Sequence, residues 1–144
     1  MRLEKKQIAD LETLGKIHDI GKISIDINIL NKPSSLTPDE YETVKRHAET
    51  GYHIIGVSTE LSYLANDVLA HHEKWDGTGY PSGVKGKDIP LLARILCVAD
   101  AFDAMISEKP YHKAHTLEYA IGELKRCAGS QFDPEVVEEF IKTI

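Results

Sequence analysis

The sequence predicts an all-α fold, because apolar residues recur at helical intervals while the alternation typical of a half-buried β-strand is missing. Start and stop signals for helices flank these apolar stretches. No repeat, linker or low-complexity tract divides the chain. With 144 residues, of which 42% are hydrophobic, the chain is long enough and apolar enough for one core. We therefore expect a single domain over residues 1–144.

The first half of the chain predicts three helices. Apolar positions at helical spacing over residues 8–18 lead into the segment His-Asp-Ile-Gly-Lys, so the first helix should carry polar groups near its end. A loop is predicted over residues 31–35. The segment Thr37-Pro38-Asp39-Glu40 combines a cap, a proline at the first helical position and a glutamate three residues after the cap, and the helix should run to about Gly56. A third amphipathic helix should span about residues 59–73.

The second half begins with a long loop. Four glycines and two prolines lie between Lys74 and Pro90, and a compact domain seldom retains such a loop unless it serves a function. The segment from Leu91 to about Ser107 is apolar almost all round, which predicts the central helix. Two amphipathic helices should follow, one over residues 116–128 closed by a glycine and one capped by Asp133.

Charge and composition exclude several classes of protein. With 17 basic and 23 acidic residues the net charge is −6, which argues against broad binding to a nucleic-acid polymer or an anionic membrane. The first residues are charged where a signal peptide is apolar, and no apolar run is long enough to cross a bilayer. We therefore expect a cytoplasmic location. Cys97 and Cys127 lack a disulfide or zinc spacing and are expected to be reduced thiols.

The end of the first helix brings three chemically active groups together. His18 and Lys22 share a helical face, and Asp19 lies about 100° round from His18. One cleft can thus receive an imidazole, a carboxylate and an ammonium group. A capped helix end with solvated charges would account for this short motif equally well.

Two aspartates lie inside the predicted central helix. Asp100 follows a strongly apolar run, where a bare carboxylate would be desolvated, so we expect it to meet a cation or several hydrogen-bond donors. A metal ion and a structural hydrogen bond are equally compatible with this position. Asp103, one turn further on, is expected to orient a neighbouring group or to meet solvent.

Two further histidines, His47 and His72, lie at or beside apolar stripes, and His71 alone carries little weight. Each of them alone would more often be a satisfied core residue than a ligand. As a set with the acidic residues, however, they offer the nitrogen and oxygen ligands that suit iron, manganese, zinc or nickel, with Asp19 able to bridge two ions. Paired ions polarise a phosphoryl group and supply hydroxide for in-line displacement, which predicts phosphoester hydrolysis. The candidate ligands are His18, Asp19, His47, His71, His72 and Asp100.

The motifs that carry this chemistry closely resemble the HD-GYP family, a branch of the HD superfamily of metal-dependent phosphohydrolases. The likeness extends from about Leu11 to the segment GSQFDPEVV near the C-terminus. Its joint spacing is far more specific than any single motif. The matching segments are HDIGK at 18–22, His47, HHE at 71–73, WDGTGYP at 75–81, IPLLARILCVADAFDA at 89–104 and KPYHKA at 109–114.

The resemblance implies an HD-domain-like helical bundle, with the long GYP loop before the central helix. It implies two or three divalent ions, iron or manganese first and zinc, nickel, magnesium or cobalt as alternatives, held by the six residues above. The implied activity is hydrolysis of the bacterial second messenger cyclic di-GMP to the linear dinucleotide or GMP. The implied catalytic residues are Asp19 and Lys22, and Lys22 would contact the scissile phosphate or a bridging hydroxide. Lys109 and His112 would hold the phosphates of the ligand, and Asp103 would lie in a second layer around the metal ligands. The implied role of Gly79, Tyr80 and Pro81 is to shape the pocket mouth or a partner surface.

This chain departs from the family pattern in two places. Where the family commonly has RPYR, residues 109–112 read KPYH, which lacks the bidentate arginine fork and predicts weaker binding or preference for a related cyclic dinucleotide. The family's first helices, which carry a further histidine and sometimes a glutamate ligand, are expected to be missing. A non-catalytic module that senses a cyclic dinucleotide or binds signalling domains through the GYP loop is therefore the alternative function, and a homodimer is compatible with either.

Overall fold

The computed structural model of the chain describes residues 3–108 and 113–144, and the regular secondary structure in these ranges is helical. Short 3₁₀ helices at Ile20–Ser24, Ser62–Leu64 and Gly86–Asp88 supplement the α-helices. The all-α prediction is confirmed. The α-helices of the described residues are α1 (Lys5–Ile17), α2 (Ile27–Leu30), α3 (Pro38–Lys45), α4 (His47–Gly56), α5 (Ala65–Ala70), α6 (Leu91–Ile106), α7 (Leu117–Cys127) and α8 (Pro134–Ile141).

Helix α6 is the central element, as its apolar sequence predicts. It packs against α1, α5, α7 and α8. One apolar cluster joins α6 to α7 and α8 around Val98 and Leu124, both fully buried. A second cluster joins α6 to α1 and α5 around Leu14 and Val68. Burying this apolar surface is the main stabilising contribution to the bundle.

The predicted helix starts are confirmed where capping residues signal them. The Thr37 hydroxyl accepts a hydrogen bond from the Glu40 backbone N–H, and the Glu40 side chain accepts one from the Thr37 backbone N–H, so α3 begins with a capping box. The Thr116 side chain caps α7 by accepting a hydrogen bond from the Tyr119 backbone N–H, and the Asp133 side chain caps α8 ahead of a proline. The Asp133 carboxylate is buried and also pairs with Arg94 of α6, which ties the start of α8 to the central helix.

Two predicted boundaries are wrong. The helix expected to run unbroken from Pro38 to about Gly56 is interrupted at Arg46, whose backbone N–H bonds back to Thr43 in the tighter 3₁₀ manner. The helix expected from about residue 59 to residue 73 begins with a 3₁₀ turn at Ser62 and ends at Ala70. Both interruptions lie close to histidines that the sequence marks as ligand candidates.

The long loop after α5 is confirmed over Lys74–Pro90, with a single 3₁₀ turn at Gly86–Asp88. Both cysteines are free thiols, as expected. Among residues 3–108 and 113–144, no helix combines the length and the apolar character needed to cross a bilayer.

Candidate metal centre

Four of the predicted ligands meet at the ends of three helices. Asp19 follows α1, His47 is the first residue of α4, and His71 and His72 follow α5. One donor atom from each residue lies within 4.8 Å of the corresponding atoms of the other three. The helix interruptions before His47 and after Ala70 place these side chains at helix ends, where they point into one site.

A close contact between backbones brings Asp19 to His47. A Cβ atom added to Gly21 would lie 1.9 Å from the carbonyl oxygen of His47 and 2.6 Å from the backbone nitrogen of Gly51. The 3₁₀ turn after Asp19 therefore packs directly on the first turn of α4, and only glycine allows this approach. This contact gives the glycine of the HDIGK motif a structural role.

Backbone carbonyls fix the protonation of two of the imidazoles. The Nδ1 atom of His47 lies 2.6 Å from the Val44 oxygen, and that of His71 lies 2.5 Å from the Val68 oxygen. A carbonyl oxygen has no proton to donate, so each Nδ1 must carry the hydrogen. When the rings are neutral, each Nε2 atom then presents a lone pair to the site. This arrangement is typical of metal-binding histidines.

The three Nε2 atoms converge, and those of His47 and His71 carry no proton. His47 Nε2 is 3.2 Å from His71 Nε2 and 3.1 Å from His72 Nε2. Burial lowers the pKa of His71 to about 4 and that of His72 to about 3, so both rings are neutral at pH 7. The lone pairs of His47 and His71 therefore face each other, which is unfavourable unless a cation lies between them.

The spacing of the donors suits a transition-metal ion. Ligands bound at 2.0–2.2 Å to one ion stand roughly 3.0–3.5 Å from each other. The nitrogen separations fall in this range, and so does the 3.4 Å between Asp19 Oδ1 and His47 Nε2. Three imidazoles and one carboxylate also form a donor set that iron, manganese and zinc accept. The residues present therefore fit a divalent metal ion.

The Asp19 carboxylate faces two directions. Its Oδ1 atom points to His47, while its Oδ2 atom lies 2.6 Å from Lys22 Nζ and 3.5 Å from His18 Nε2. Burial raises the pKa of Asp19, but the hydrogen bond and charge of Lys22 outweigh it, so that the net pKa is below its usual value. The carboxylate is therefore ionised at pH 7 and available as a ligand.

His18 lies at the edge of the group of four. Its Nδ1 atom is 2.8 Å from the Gly15 oxygen, which leaves the Nε2 lone pair facing Asp19 Oδ2. Its ring stands edge-on to His71, with centroids 5.3 Å apart. The structure brings His18, Asp19 and Lys22 together, but the shared helical face predicted for His18 and Lys22 is wrong, because α1 ends at Ile17 and Lys22 lies in the 3₁₀ helix Ile20–Ser24.

The GYP loop folds back over the histidines. The Tyr80 ring stacks on His72, with centroids 4.9 Å apart and planes at 27°, and the Tyr80 backbone N–H donates to the His72 carbonyl. A Cβ atom added to Gly79 would lie 2.3 Å from the Lys74 backbone nitrogen, so the loop requires glycine there. Burial raises the pKa of Tyr80, as do nearby Tyr41, Asp19 and Asp100. Tyr80 is therefore a neutral wall beside the cluster.

Glu73 is a structural residue of the site to which sequence reasoning assigned no role. Its side chain is buried, and Oε1 accepts hydrogen bonds from the backbone N–H groups of Ser82 (2.7 Å) and Gly83 (3.1 Å). Its Oε2 atom has no hydrogen-bond partner. Glu73 thus anchors the end of the GYP turn directly beside His72. The signal in the sequence is a charged residue placed between two ligand candidates and a glycine-rich loop.

The two aspartates of α6 lie away from the four converging residues. The expected burial of Asp100 is wrong, because its side chain is exposed on α6, and it does not belong to the group of four. Its charge still acts on Tyr80 and Cys97, whose pKa values it helps to raise. Asp103 is exposed and accepts a hydrogen bond from the Ser107 hydroxyl, which fits the expectation that it meets solvent. Lys109 and His112 lie outside the described residues.

The fold and the cluster of four residues agree with one class of protein. A family model described as an HD domain matches residues 1–136, and the chain belongs to that family. HD domains bind divalent metal ions, in agreement with the cluster of Asp19, His47, His71 and His72.

Relatives place the chain in the HD-GYP branch, as its motifs indicate. It is 42% identical over 144 residues to a cyclic di-GMP phosphodiesterase of Thermotoga maritima, covering 99% of this chain and 39% of that protein. It is 39% identical over 142 residues to the cyclic di-GMP phosphodiesterase response regulator RpfG of Xanthomonas campestris, covering 97% and 38%. It is 38% identical over 130 residues to the 3'3'-cGAMP-specific phosphodiesterase 2 of Vibrio cholerae, covering 89% and 25%. The chain thus spans well under half of each of these relatives.

Solved structures share the fold. A cyclic GMP-AMP-specific phosphodiesterase of Vibrio cholerae, V-cGAP3, superposes with a TM-score of 0.70 at 22% identity, covering 98% of this chain and 40% of that one. The HDGYP protein Bd1817 of Bdellovibrio bacteriovorus superposes with a TM-score of 0.68 at 22% identity, covering 96% and 45%. The helical bundle predicted from the motifs is therefore confirmed.

Proposed function

We propose that this domain is a metal-dependent phosphodiesterase that hydrolyses cyclic di-GMP, or a related cyclic dinucleotide, to the linear dinucleotide or GMP in bacterial signalling. The observation that carries this proposal is the convergence of three neutral imidazoles and the Asp19 carboxylate on one point. Relatives of the chain are named as phosphodiesterases of cyclic di-GMP and of 3'3'-cGAMP, which supports the substrate class.

His47, His71, His72 and Asp19 Oδ1 would hold one ion of this centre. A second ion, supported by the two faces of the Asp19 carboxylate, would be held by His18, Asp19 and Asp100, and iron or manganese is the proposed metal. When bound, such ions polarise a phosphoryl oxygen and provide the hydroxide nucleophile for in-line displacement. Asp100 would join the centre from its exposed position on α6.

Lys22 would stabilise negative charge on the phosphate. Its ammonium group is held 2.6 Å from Asp19 Oδ2, so it stands at the edge of the cluster with donors to spare. As negative charge grows on the phosphate oxygens in the transition state, this ammonium can donate to them. Tyr80 shields the His72 side of the cluster from water and limits the directions from which a substrate can enter.

Reconstitution with a series of metals tests the proposal. The metal-free chain would be loaded separately with iron, manganese, zinc, nickel, magnesium or cobalt and incubated with cyclic di-GMP, and the products separated by chromatography. We expect linear dinucleotide or GMP, and a loss of turnover of about 100-fold in Asp19→Asn. The matched control is Asp39→Asn, an exposed carboxylate in the first turn of α3. Metal binding with no hydrolysis under any condition would refute the activity.

The exposed position of Asp100 favours a second candidate function. Four converging donors are enough to bind one ion, so a chain in which Asp100 does not complete a second position would bind a cyclic dinucleotide without cleaving it. Such a module would sense the ligand or bind signalling partners through the GYP loop. Tight binding of intact cyclic di-GMP without product would select this function. The cytoplasmic location and the homodimer stay predictions from the sequence.

A further inference from the structure

A polar cavity lies on the side of the GYP loop that faces α3 and α4. Its volume is about 230 Å³, smaller than the ~300–1,000 Å³ of pockets for drug-sized molecules and suited to a fragment such as one nucleobase. Tyr80 borders the cavity and also stacks on His72, while Arg46 immediately precedes His47, so the cavity adjoins the candidate metal centre. Its lining residues are Glu42, Lys45, Arg46, Glu49, Tyr80 and Pro81.

The charges of the lining cancel. Two cations and two carboxylates surround the cavity, whereas a phosphate subsite needs a net positive charge. Lys45 is already engaged, because its Nζ atom lies 2.6 Å from Glu42 Oε1 and 5.6 Å from the centre of the Tyr80 ring. A neutral ring that carries both donors and acceptors matches such a lining better than an anion does.

Arg46 and Glu49 are two charged lining groups that are available to a ligand. They lie three residues apart across the start of α4, and both are exposed. Within residues 3–108 and 113–144, neither side chain has a hydrogen bond or an ion pair, with each other or with any other group. The Arg46 guanidinium offers only hydrogen-bond donors, and the Glu49 carboxylate offers only acceptors.

We propose that this cavity binds a guanine base of the cyclic dinucleotide, with Arg46 donating to O6 and N7 and Glu49 accepting from N1–H and the N2 amino group. The proposal rests on the proposed function and adds a specificity to it. Arginine paired with guanine O6 and N7 is the commonest specific contact to that base. Adenine would place its N6 amino donor against Arg46 and a ring-nitrogen acceptor against Glu49, so Glu49 would lose its contacts and Arg46 would keep only the one to N7. The subsite should therefore prefer guanine to adenine.

Equilibrium binding to the metal-loaded full chain tests this subsite. Dissociation constants would be measured by calorimetry for cyclic di-GMP and cyclic di-AMP. In Glu49→Gln and in Arg46→Met we expect the affinity for cyclic di-GMP to fall about tenfold to hundredfold, while that for cyclic di-AMP changes less than about threefold. Glu60→Gln, an exposed carboxylate outside the cavity, is the matched control. Metal content is measured on every variant, so that damage to the centre is recognised.

Each outcome decides between the subsite and the activity. Unchanged affinity for cyclic di-GMP in both variants, or an equal loss for both dinucleotides, would overturn the subsite whatever the turnover. A guanine preference that both variants abolish, in a native chain that releases no product, would support the subsite and refute the proposed hydrolysis alone. A native chain that binds neither dinucleotide would overturn both.

Discussion

Replacing Gly21 with alanine should separate the two halves of the candidate metal centre. The new Cβ atom would stand 1.9 Å from the His47 carbonyl oxygen, and Cβ contacts below 3.0 Å essentially never occur. The turn that carries Asp19 must therefore move away from α4 by at least about 1.1 Å, because the obstructing atoms belong to the backbone. Movement along the line between Asp19 Oδ1 and His47 Nε2 would lengthen their 3.4 Å separation to about 4.5 Å.

Two consequences follow from this displacement. Overpacking of this kind costs about 1–3 kcal/mol of unfolding free energy. Donors 4.5 Å apart cannot both reach one ion at about 2.1 Å without rearrangement, so metal affinity should fall at least about tenfold.

Isothermal metal titration and denaturant unfolding measure the two effects. Gly15→Ala and Gly56→Ala serve as controls, because an added Cβ atom meets nothing within 4 Å at either position. Gly15 lies inside α1, where alanine should stabilise the chain by about 0.5–1 kcal/mol. Native metal affinity and stability in Gly21→Ala would refute the close packing of the turn on α4, and equal effects in the controls would refute its specificity.

Three further predictions concern the histidines and the loop. His72→Ala should lower the metal content of the purified chain, measured by elemental analysis, whereas His53→Ala should not, because His53 is exposed and lies outside the cluster. Glu73→Leu should raise the KM for cyclic di-GMP, measured in steady-state assays, since the Ser82 and Gly83 backbone N–H groups lose their acceptor, while Glu73→Gln should retain most of the native KM. In the metal-free chain the free energy of unfolding should fall as pH decreases from about 6.5 towards 4, because the unfolded chain binds protons that buried His71, with its pKa of about 4, does not. Denaturant titrations at pH 7 and pH 5 measure this slope.

Particular results would contradict each of these predictions. Equal metal loss in His72→Ala and His53→Ala would argue against the ligand set. A native KM in Glu73→Leu would show that the loop holds its position without the buried carboxylate. For the pH prediction, an unchanged slope in His71→Gln, with the same midpoints as the native chain, would assign the pH dependence to another group.

The fold could be predicted from local signals wherever a helix had a cap or an amphipathic stripe. The Thr37 capping box and the apolar run of α6 are such cases. The interruption at Arg46 could not be predicted in this way, because neither glycine nor proline marks it. It accompanies a side-chain contact, in which the His47 ring donates to the Val44 carbonyl, and patterns of apolar residues do not encode such contacts.

The burial of Asp100 was misjudged because the apolar run was treated as uniform. Asp100 and Asp103 are three residues apart and therefore share one face of α6, and Ile106, three residues further on, is also exposed. This spacing indicates an exposed stripe along a helix whose other residues are buried or partly buried. The role of Glu73 was missed for another reason, since its partners lie nine and ten residues away in an irregular loop.

The sequence predicts that the four residues of the cluster are ligands, but it does not predict the distances between their donor atoms. Helix periodicity places His47 and His72 beside apolar faces, and the HD-GYP motifs join them with His71 and Asp19. The approach of the His71 and His72 Nε2 atoms to within 3.2 Å of His47 Nε2 depends on how the helices pack and on the carbonyls that orient His47 and His71, and the approach of Asp19 depends on how the turn at Gly21 packs on α4.

The most direct test measures metal content and hydrolysis of cyclic di-GMP on the same samples of native chain, His72→Ala and His53→Ala. We expect His72→Ala to lose metal and turnover together, His53→Ala to keep both, and a chelator to abolish turnover in the native chain. Turnover that persists in metal-free native protein, or in His72→Ala without bound metal, would contradict the assignment of the reaction to this cluster.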